Sequence, residues 1–168
     1  MNLKRKSYFL VTLHRQENAD YPDRFQGILD GLGLIAREFA LPVIYPIHPR
    51  ASKRIKEYSL KIPQGVRLIQ PLGFLDFLQL EENARLVLTD SGGIQEEACI
   101  LQVPCVTLRD NTERPETLDA GSNILSGSQQ DNILNSVKLM MQKPLNWHNP
   151  FGDGTAGKQI AKILAEKA

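Results

Sequence analysis

The stretch Thr89-Asp90-Ser91-Gly92-Gly93-Ile94-Gln95-Glu96-Glu97 decides the fold of this 168-residue chain. An apolar run at 85–89 precedes it and predicts a buried β-strand, and the residues from 94 to 102 predict a helix. The two glycines between them allow the chain to turn sharply. A strand that passes through a glycine turn directly into a helix is typical of α/β proteins.

Short apolar runs alternate with amphipathic stretches on both sides of this unit. Strands are predicted at 8–13, 42–47, 66–70, 85–89, 104–108 and 123–125. Helices are predicted at 23–39, 50–60, 74–83, 94–102, 129–142 and 155–167. This alternation predicts an α/β fold with a parallel sheet and helices on both faces. Gly27, Gly31 and Gly33 interrupt the first predicted helix, and we expect them to let it lie close to the sheet.

Length and composition predict one globular domain, residues 1–168, with a Pro- and Gly-rich loop at 143–154 before the last helix. The formal net charge of +1 argues against nucleic acid or an anionic membrane surface as the main partner. No apolar run approaches the ~20 residues of a membrane-spanning helix. Cys99 and Cys105 lie in apolar stretches, so we expect buried free cysteines, no metal site and a cytoplasmic protein.

Polar clusters directly follow four of the predicted strands. They are His14-Arg15-Gln16-Glu17-Asn18, His48-Pro49-Arg50, Asp90-Ser91-Gly92-Gly93 and Arg109-Asp110-Asn111-Thr112-Glu113-Arg114. Ligands of open α/β sheets bind outside the carboxyl ends of the strands. We therefore expect a binding site at this edge of the sheet.

The glycine turn is the candidate phosphate site. The first N–H groups of a helix are unpaired and carry the positive end of its dipole, so Ser91, Gly92 and Gly93 could hold a phosphate. Glu97, a little over one turn into the helix, could accept hydrogen bonds from ribose hydroxyls. The alternative is a turn and helix cap with nothing bound. Neither a P-loop nor a G-x-G-x-x-G motif is present.

Several other side chains have a functional and a structural interpretation. His14 could donate a hydrogen bond to a diphosphate and stabilise it as a leaving group, or it could be an ordinary surface histidine. Arg114 could clamp a phosphate, although Arg109 and Arg114 are each also typical of solvated surface charges. Phe74 and Phe77 fit the core of their helix, or one of them could stack on a base.

Taken together, the motifs resemble those of the non-hydrolysing UDP-N-acetylglucosamine 2-epimerases. The resemblance rests on His14-Arg15-x-Glu17-Asn18, His48-Pro49, Asp90-Ser91-Gly92-Gly93-Ile94-Gln95-Glu96-Glu97, Arg109-Asp110-x-Thr112-Glu113-Arg114-Pro115-Glu116 and Asn149-Pro150-Phe151-Gly152-Asp153-Gly154-x-Ala156, in this order. It covers only the C-terminal half of such an enzyme. It implies a Rossmann-like domain, one half of a glycosyltransferase-B-type two-domain fold, with a C-terminal crossover segment at about 144–168.

The resemblance also implies roles for individual residues. It assigns UDP binding to Phe77, Ser91, Gly92, Gly93 and Glu97, leaving-group stabilisation to His14 and Arg114, and an allosteric second UDP-N-acetylglucosamine to Arg15, Glu17 and His48. No cofactor is implied. The implied partners are UDP, a UDP-N-acetylhexosamine, the N-terminal half and, for the full-length enzyme, a second copy in a homodimer.

The implied reaction is an isomerisation that interconverts UDP-N-acetylglucosamine and UDP-N-acetylmannosamine by elimination and re-addition of UDP. The carboxylates that would handle the proton belong to the other half, so we expect this chain to bind UDP without turnover. Two alternatives stay open at this point. The chain could be the donor-binding half of a UDP-sugar glycosyltransferase, or a non-catalytic nucleotide-sugar sensor.

Overall fold

Six parallel strands form a single sheet in the computed structural model, which describes residues 3–167. The strands are β1 (Phe9–Thr12), β2 (Val43–Pro46), β3 (Val66–Ile69), β4 (Leu86–Thr89), β5 (Cys105–Thr107) and β6 (Asn123–Leu125). Their order in the sheet is β3-β2-β1-β4-β5-β6. This is the order of the Rossmann fold, in which the chain changes direction across the sheet between β1 and β4. The fold class predicted from the sequence is confirmed.

Helices cover both faces of the sheet. They are α1 (Gln16–Ala19), α2 (Pro22–Phe39), α3 (Pro49–Glu57), α4 (Phe74–Glu82), α5 (Gly92–Ile100), α6 (Pro115–Asp119), α7 (Gln130–Gln142) and α8 (Ala156–Lys167). The apolar sides of α2 and α7 pack on one face, around Phe25, Ile28 and Val137. The apolar sides of α4 and α5 pack on the other, around Tyr8 and Ala98.

The sequence did not predict α1 and α6. Each has five residues or fewer and lies among the polar residues that follow a strand, so neither has the apolar periodicity of a longer helix. Both belong to the edge of the sheet where the candidate site residues gather.

The glycines of α2 do not allow a close approach to the sheet, as was expected, but a close approach to other elements. A Cβ at Gly31 would lie 3.1 Å from the Ile133 side chain of α7, and one at Gly33 would lie 2.5 Å from Pro63. The small residues therefore let α2 approach α7 and the loop before β3, not the sheet.

The loop before α8 is fastened to the body by Trp147. The indole N–H donates a hydrogen bond to the Cys99 carbonyl at 2.9 Å, and the Gln102 side chain donates to the Trp147 carbonyl at 3.3 Å. Beyond this anchor the side chains from 156 to 166 are all exposed. They include the apolar Ile160, Ile163 and Leu164.

Candidate functional site

Asp90 lies at the carboxyl end of β4, completely buried, and organises the loop that follows β1. Its carboxylate accepts hydrogen bonds from the backbone N–H groups of His14 and Arg15, at 3.0 and 2.9 Å, and from the Asn18 side chain at 3.2 Å. Buried charges persist in proteins only when such donors compensate them. The carboxylate thus joins the two strand ends at which the sheet changes direction. No role of its own was predicted for Asp90, although its place directly after a buried strand puts it at the edge of the sheet where ligands bind.

The His14 imidazole contacts the same carboxylate. Its Nδ1 lies 3.1 Å from Asp90 Oδ1, while 43% of the His14 side chain remains exposed. The hydrogen bond to Asp90 raises the pKa of His14 above 6.5. The arrangement favours a protonated imidazole, oriented by Asp90 and with its other nitrogen available to an anion.

This arrangement predicts that Asp90→Asn lowers the pKa of His14, because the charged acceptor that stabilises the imidazolium is lost. An NMR titration of the imidazole signals in the two proteins measures the shift. The raised pKa also means that the charged His14 stabilises the fold fully below pH 6.5, and that this stabilisation is lost as pH rises through the folded-state pKa. Asp110→Asn, a change at an exposed carboxylate, is the control. An unchanged His14 pKa in Asp90→Asn would contradict the prediction.

The glycine turn forms the N-terminus of α5, which begins at Gly92, two residues earlier than predicted. Within the described part of the chain, Ser91 is the N-cap but its hydroxyl makes no capping hydrogen bond. A Cβ at Gly92 or Gly93 would meet no atom closer than 3.7 Å. The fold itself does not need glycine at these two positions, and among the described residues no side chain caps the first N–H groups of α5.

Arg114 lies beside this turn. Its guanidinium carbon would be 3.8 Å from a Cβ at Gly92. The guanidinium forms an ion pair with Glu96 of α5 and donates to the Glu113 carbonyl at 3.0 Å. A cationic side chain and a helix N-terminus therefore border the same space.

A chain of side-chain hydrogen bonds connects the glycine turn to the segment that carries Arg114. The buried Gln95 donates to the Ser91 carbonyl at 3.2 Å and accepts from the Thr112 hydroxyl at 2.6 Å. The Thr112 oxygen in turn accepts from the Arg114 N–H at 3.0 Å. Gln95 and Thr112 stand in the quoted motifs, but no role was predicted for them because they are 17 residues apart in sequence.

The interpretation of Arg109 as a solvated surface charge was wrong. It is 5% exposed and forms ion pairs with Glu17 and, at 2.7 Å, with Glu113. Arg15 also contacts Glu113, at 3.1 Å. The hydrogen bond from Arg109 lowers the pKa of Glu113 to about 2. The network holds the segments after β1 and β5 together, and Arg15 and Glu17 are both part of it.

Two cavities meet at His14. A polar cleft of about 650 Å³ is lined by His14, Arg15, Gln16, Glu17, Asp20, Tyr21 and Arg50. A more apolar cavity of about 350 Å³ is lined by Thr12, Leu13, His14, Pro46, His48, Pro71, Leu72, Phe77, Ser91 and Ile94. Of the residues predicted for the allosteric ligand, Arg15 and Glu17 line the polar cleft, whereas His48 lines the apolar cavity.

The two candidate phenylalanines differ in their surroundings. Phe77 is half-buried and lines the apolar cavity together with Ser91. Phe74 is 66% exposed, so its interpretation as a core residue was wrong. It lies at the first turn of α4, which faces solvent. Glu97 is half-buried on α5 and belongs to the lining of neither cavity.

Two other features, a cluster of metal ligands and a membrane-spanning helix, are absent from the described residues, 3–167. These residues contain no group of three or more His, Cys, Asp or Glu side chains arranged to hold a metal ion. None of their helices has the length and apolar character needed to cross a membrane. Cys99 and Cys105 are buried free thiols, as predicted.

Comparison with known proteins gives consistent results. Residues 1–165 match the sequence profile of the family described as UDP-N-acetylglucosamine 2-epimerase. A UDP-N-acetylglucosamine 2-epimerase of Methanocaldococcus jannaschii is 51% identical over 161 residues, which cover 94% of this chain and 44% of that protein. The chain spans about half the length of the curated relatives it matches.

Solved structures agree with the sequence matches. The crystal structure of the M. jannaschii UDP-GlcNAc 2-epimerase in complex with UDP-GlcNAc and UDP has a TM-score of 0.88 and 50% identity, covering 95% of this chain and 45% of that chain. An E. coli heptosyltransferase with ADP has a TM-score of 0.55 at 15% identity, covering 83% of this chain and 44% of that chain. This second similarity concerns the fold alone, which is one half of a glycosyltransferase-B-type arrangement.

Proposed function

The chain belongs to the UDP-N-acetylglucosamine 2-epimerase family, and we propose that it is the UDP-binding half of such an enzyme. The proposed reaction of the whole enzyme is the interconversion of UDP-N-acetylglucosamine and UDP-N-acetylmannosamine. Relatives with this name are about twice as long as the chain, which supports the proposal that the reaction needs a second half. The two unpaired cysteines agree with the cytoplasmic location that we also propose.

The open N-terminus of α5 is the observation that carries the proposal. The free N–H groups after Ser91, the positive end of the helix dipole and the Arg114 guanidinium converge on one space. His14, oriented by Asp90, lines the same cavity as Ser91. These groups provide backbone donors and cations for a diphosphate, which carries negative charge on both phosphates.

The uridine would occupy the region between α4 and α5. Phe77 offers an aromatic face for the uracil and lines the same apolar cavity as Ser91. Glu97 lies further along α5 and would accept hydrogen bonds from the two ribose hydroxyls. Carboxylates bind vicinal hydroxyls well because each of their oxygens accepts more than one hydrogen bond.

In the proposed reaction, a base of the other half removes the proton from carbon 2 of the sugar, and the bond from carbon 1 to the UDP oxygen breaks. The product is a 2-acetamidoglucal and free UDP. Return of a proton to the other face of carbon 2 and re-addition of UDP to carbon 1 complete the inversion. The protonated His14 and Arg114 would stabilise the charge that develops on the departing diphosphate.

The apolar face of α8 is the surface that we propose for contact with the N-terminal half. Ile163 and Leu164 follow Ile160 by three and four residues, so the three side chains lie on one side of the helix. Each is more than 50% exposed. Exposed apolar side chains grouped in this way mark an interaction surface, and the N-terminal half of the proposed enzyme would cover them.

Calorimetric titration of the purified chain with UDP tests the proposal. We expect binding that weakens about tenfold or more in Arg114→Ala and in Glu97→Ala, because each removes a charge-assisted contact. Lys158→Ala on the exposed α8 is a control, and we expect no change in its affinity. UDP is a better probe than the UDP-sugar because most sugar contacts would come from the other half.

Binding that neither substitution weakens would place the UDP site elsewhere and contradict the proposal. The same protein should not convert UDP-N-acetylglucosamine on its own. Turnover by the isolated chain would contradict the assignment of the proton-transferring groups to the other half.

A further inference from the structure

Glu81, in the last turn of α4, is a completely buried carboxyl group in an apolar layer. The layer lies between the sheet, α4 and α5 and includes Tyr8, Ala98 and Cys105. Neither Oε1 nor Oε2 of Glu81 meets a hydrogen-bond donor among residues 3–167. An ionised carboxylate without donors is very unfavourable in such surroundings. Nothing in the function proposed so far uses this group.

The side chain that interacts with Glu81 is another carboxyl group, that of Glu97 on α5. Two carboxylates in contact repel each other, whereas a carboxylic acid can donate its proton to a carboxylate in a strong hydrogen bond. Glu81 is fully buried, whereas Glu97 is only half-buried and reaches solvent. The proton therefore belongs to Glu81 and the charge to Glu97.

Burial and the charge of Glu97 together raise the pKa of Glu81 to about 9. The other titratable groups nearby do not alter this assignment. The Cys105 thiol on β5 has a pKa raised by burial, and burial raises that of Tyr8 on β1 to about 12. Lys6, whose ammonium donates to the Glu82 and Ala84 carbonyls beside Glu81, has a pKa lowered by burial.

The register of the two helices connects this pair to the nucleotide site. Phe77 and Glu81 are four residues apart on α4, and Ile94 and Glu97 are three apart on α5, so each pair lies on one face of its helix. Phe77 and Ile94 line the apolar cavity together. Glu81 and Glu97 interact one turn further along both helices.

We propose that Glu81 is a positioning residue that keeps its proton and donates it in a hydrogen bond to Glu97, so that the Glu97 carboxylate stays charged and turned toward the ribose hydroxyls of UDP. A carboxylate has two oxygens with about four acceptor sites. One oxygen accepts from Glu81, and the other remains for the ribose. The inference rests on the proposed role of Glu97 in UDP binding.

Three variants of the full chain test the role by calorimetry with UDP and with 2′,3′-dideoxy-UDP. Glu81→Leu removes the donor, and we expect UDP affinity to fall about tenfold while dideoxy-UDP affinity stays unchanged. Glu81→Gln retains an N–H donor, so UDP affinity should stay within about threefold of the wild type. Glu82→Gln, a change at the neighbouring exposed carboxylate, should change neither. Equal losses for both ligands in Glu81→Leu would indicate a merely structural role and overturn the proposal.

A pH series supplies an independent readout. Above about pH 9 Glu81 should ionise and repel Glu97, so the UDP affinity of the wild type should fall relative to that of Glu81→Gln. Titration of the uracil ring and of Lys6 affects both proteins and cancels in the comparison. An affinity ratio that does not change with pH would contradict the proposal.

Infrared spectroscopy separates this proposal from the proposed function. The carboxylic-acid C=O band of a protonated Glu81 should be present at pH 7 without ligand and absent from Glu81→Gln. Absence of the band in the wild type would refute the protonated state. A band that is present in a chain with no measurable UDP affinity would refute the proposed function, and with it the ribose role, while the carboxyl pair itself would stand.

Discussion

Replacing Asp90 with alanine is expected to lower the free energy of unfolding by about 4 kcal/mol. The buried carboxylate holds two backbone N–H groups, the Asn18 amide and the His14 ring, and alanine would leave these donors without their acceptor. Burial alone would raise the pKa of Asp90, but the hydrogen bonds from His14 and Arg15 outweigh it and lower that pKa. The charged form is therefore the one that stabilises the fold. Urea denaturation monitored by circular dichroism measures the loss.

Asp110→Ala is the matched control. Its carboxylate is 72% exposed and pairs with Arg24 at the surface, so its removal should cost less than about 1 kcal/mol. A loss below about 1 kcal/mol in Asp90→Ala as well would show that Asp90 does not hold the loop after β1 in place. The proposed orientation of His14 would then lose its basis.

Gly92→Ala should weaken UDP binding by about 100-fold, or nearly 3 kcal/mol, while changing the free energy of unfolding by less than about 1 kcal/mol. In the free protein the added Cβ would meet only the Glu113 and Arg114 side chains, at 3.7 Å or more. A phosphate at the N-terminus of α5 would have to approach the backbone closely, and the methyl group would occupy that space. The substitution should therefore change UDP affinity much more than it changes stability.

Two measurements are needed for this variant, a thermal unfolding curve and a titration with UDP. Gly157→Ala in α8 serves as the control, because a Cβ there meets no atom within 4 Å and lies outside the proposed site. Unchanged UDP affinity in Gly92→Ala would show that the diphosphate is not held at this turn, even if UDP binds elsewhere.

Much of this architecture could be predicted because its signals are local. Alternating apolar runs and amphipathic stretches predicted the six strands and six of the eight helices that residues 3–167 form. A polar cluster directly follows each of β1, β2, β4 and β5. The four clusters lie at 14–18, 48–50, 90–93 and 109–114. The carboxyl ends of parallel strands share one edge, so these clusters were expected at a common site.

The partnerships within the site could not be predicted in the same way. Arg109 and Glu17 are 92 residues apart, and nothing near either residue in the sequence marks the other as its partner. Glu81 stands in a charged stretch, Leu80-Glu81-Glu82-Asn83, which is typical of an exposed helix end. Its burial depends on how α4 lies against α5, which a single sequence does not encode in any local pattern.

Trp147 provides this chain with an internal optical reporter. It is the sole tryptophan, and it stands between the α/β body, which ends with α7, and the segment leading to α8. Its indole is 9% exposed and hydrogen-bonded to the carbonyl of Cys99, near the end of the helix whose other end forms the glycine turn. Fluorescence emission from this single ring therefore reports, without any label, whether the C-terminal segment stays fastened when the proposed N-terminal half is added.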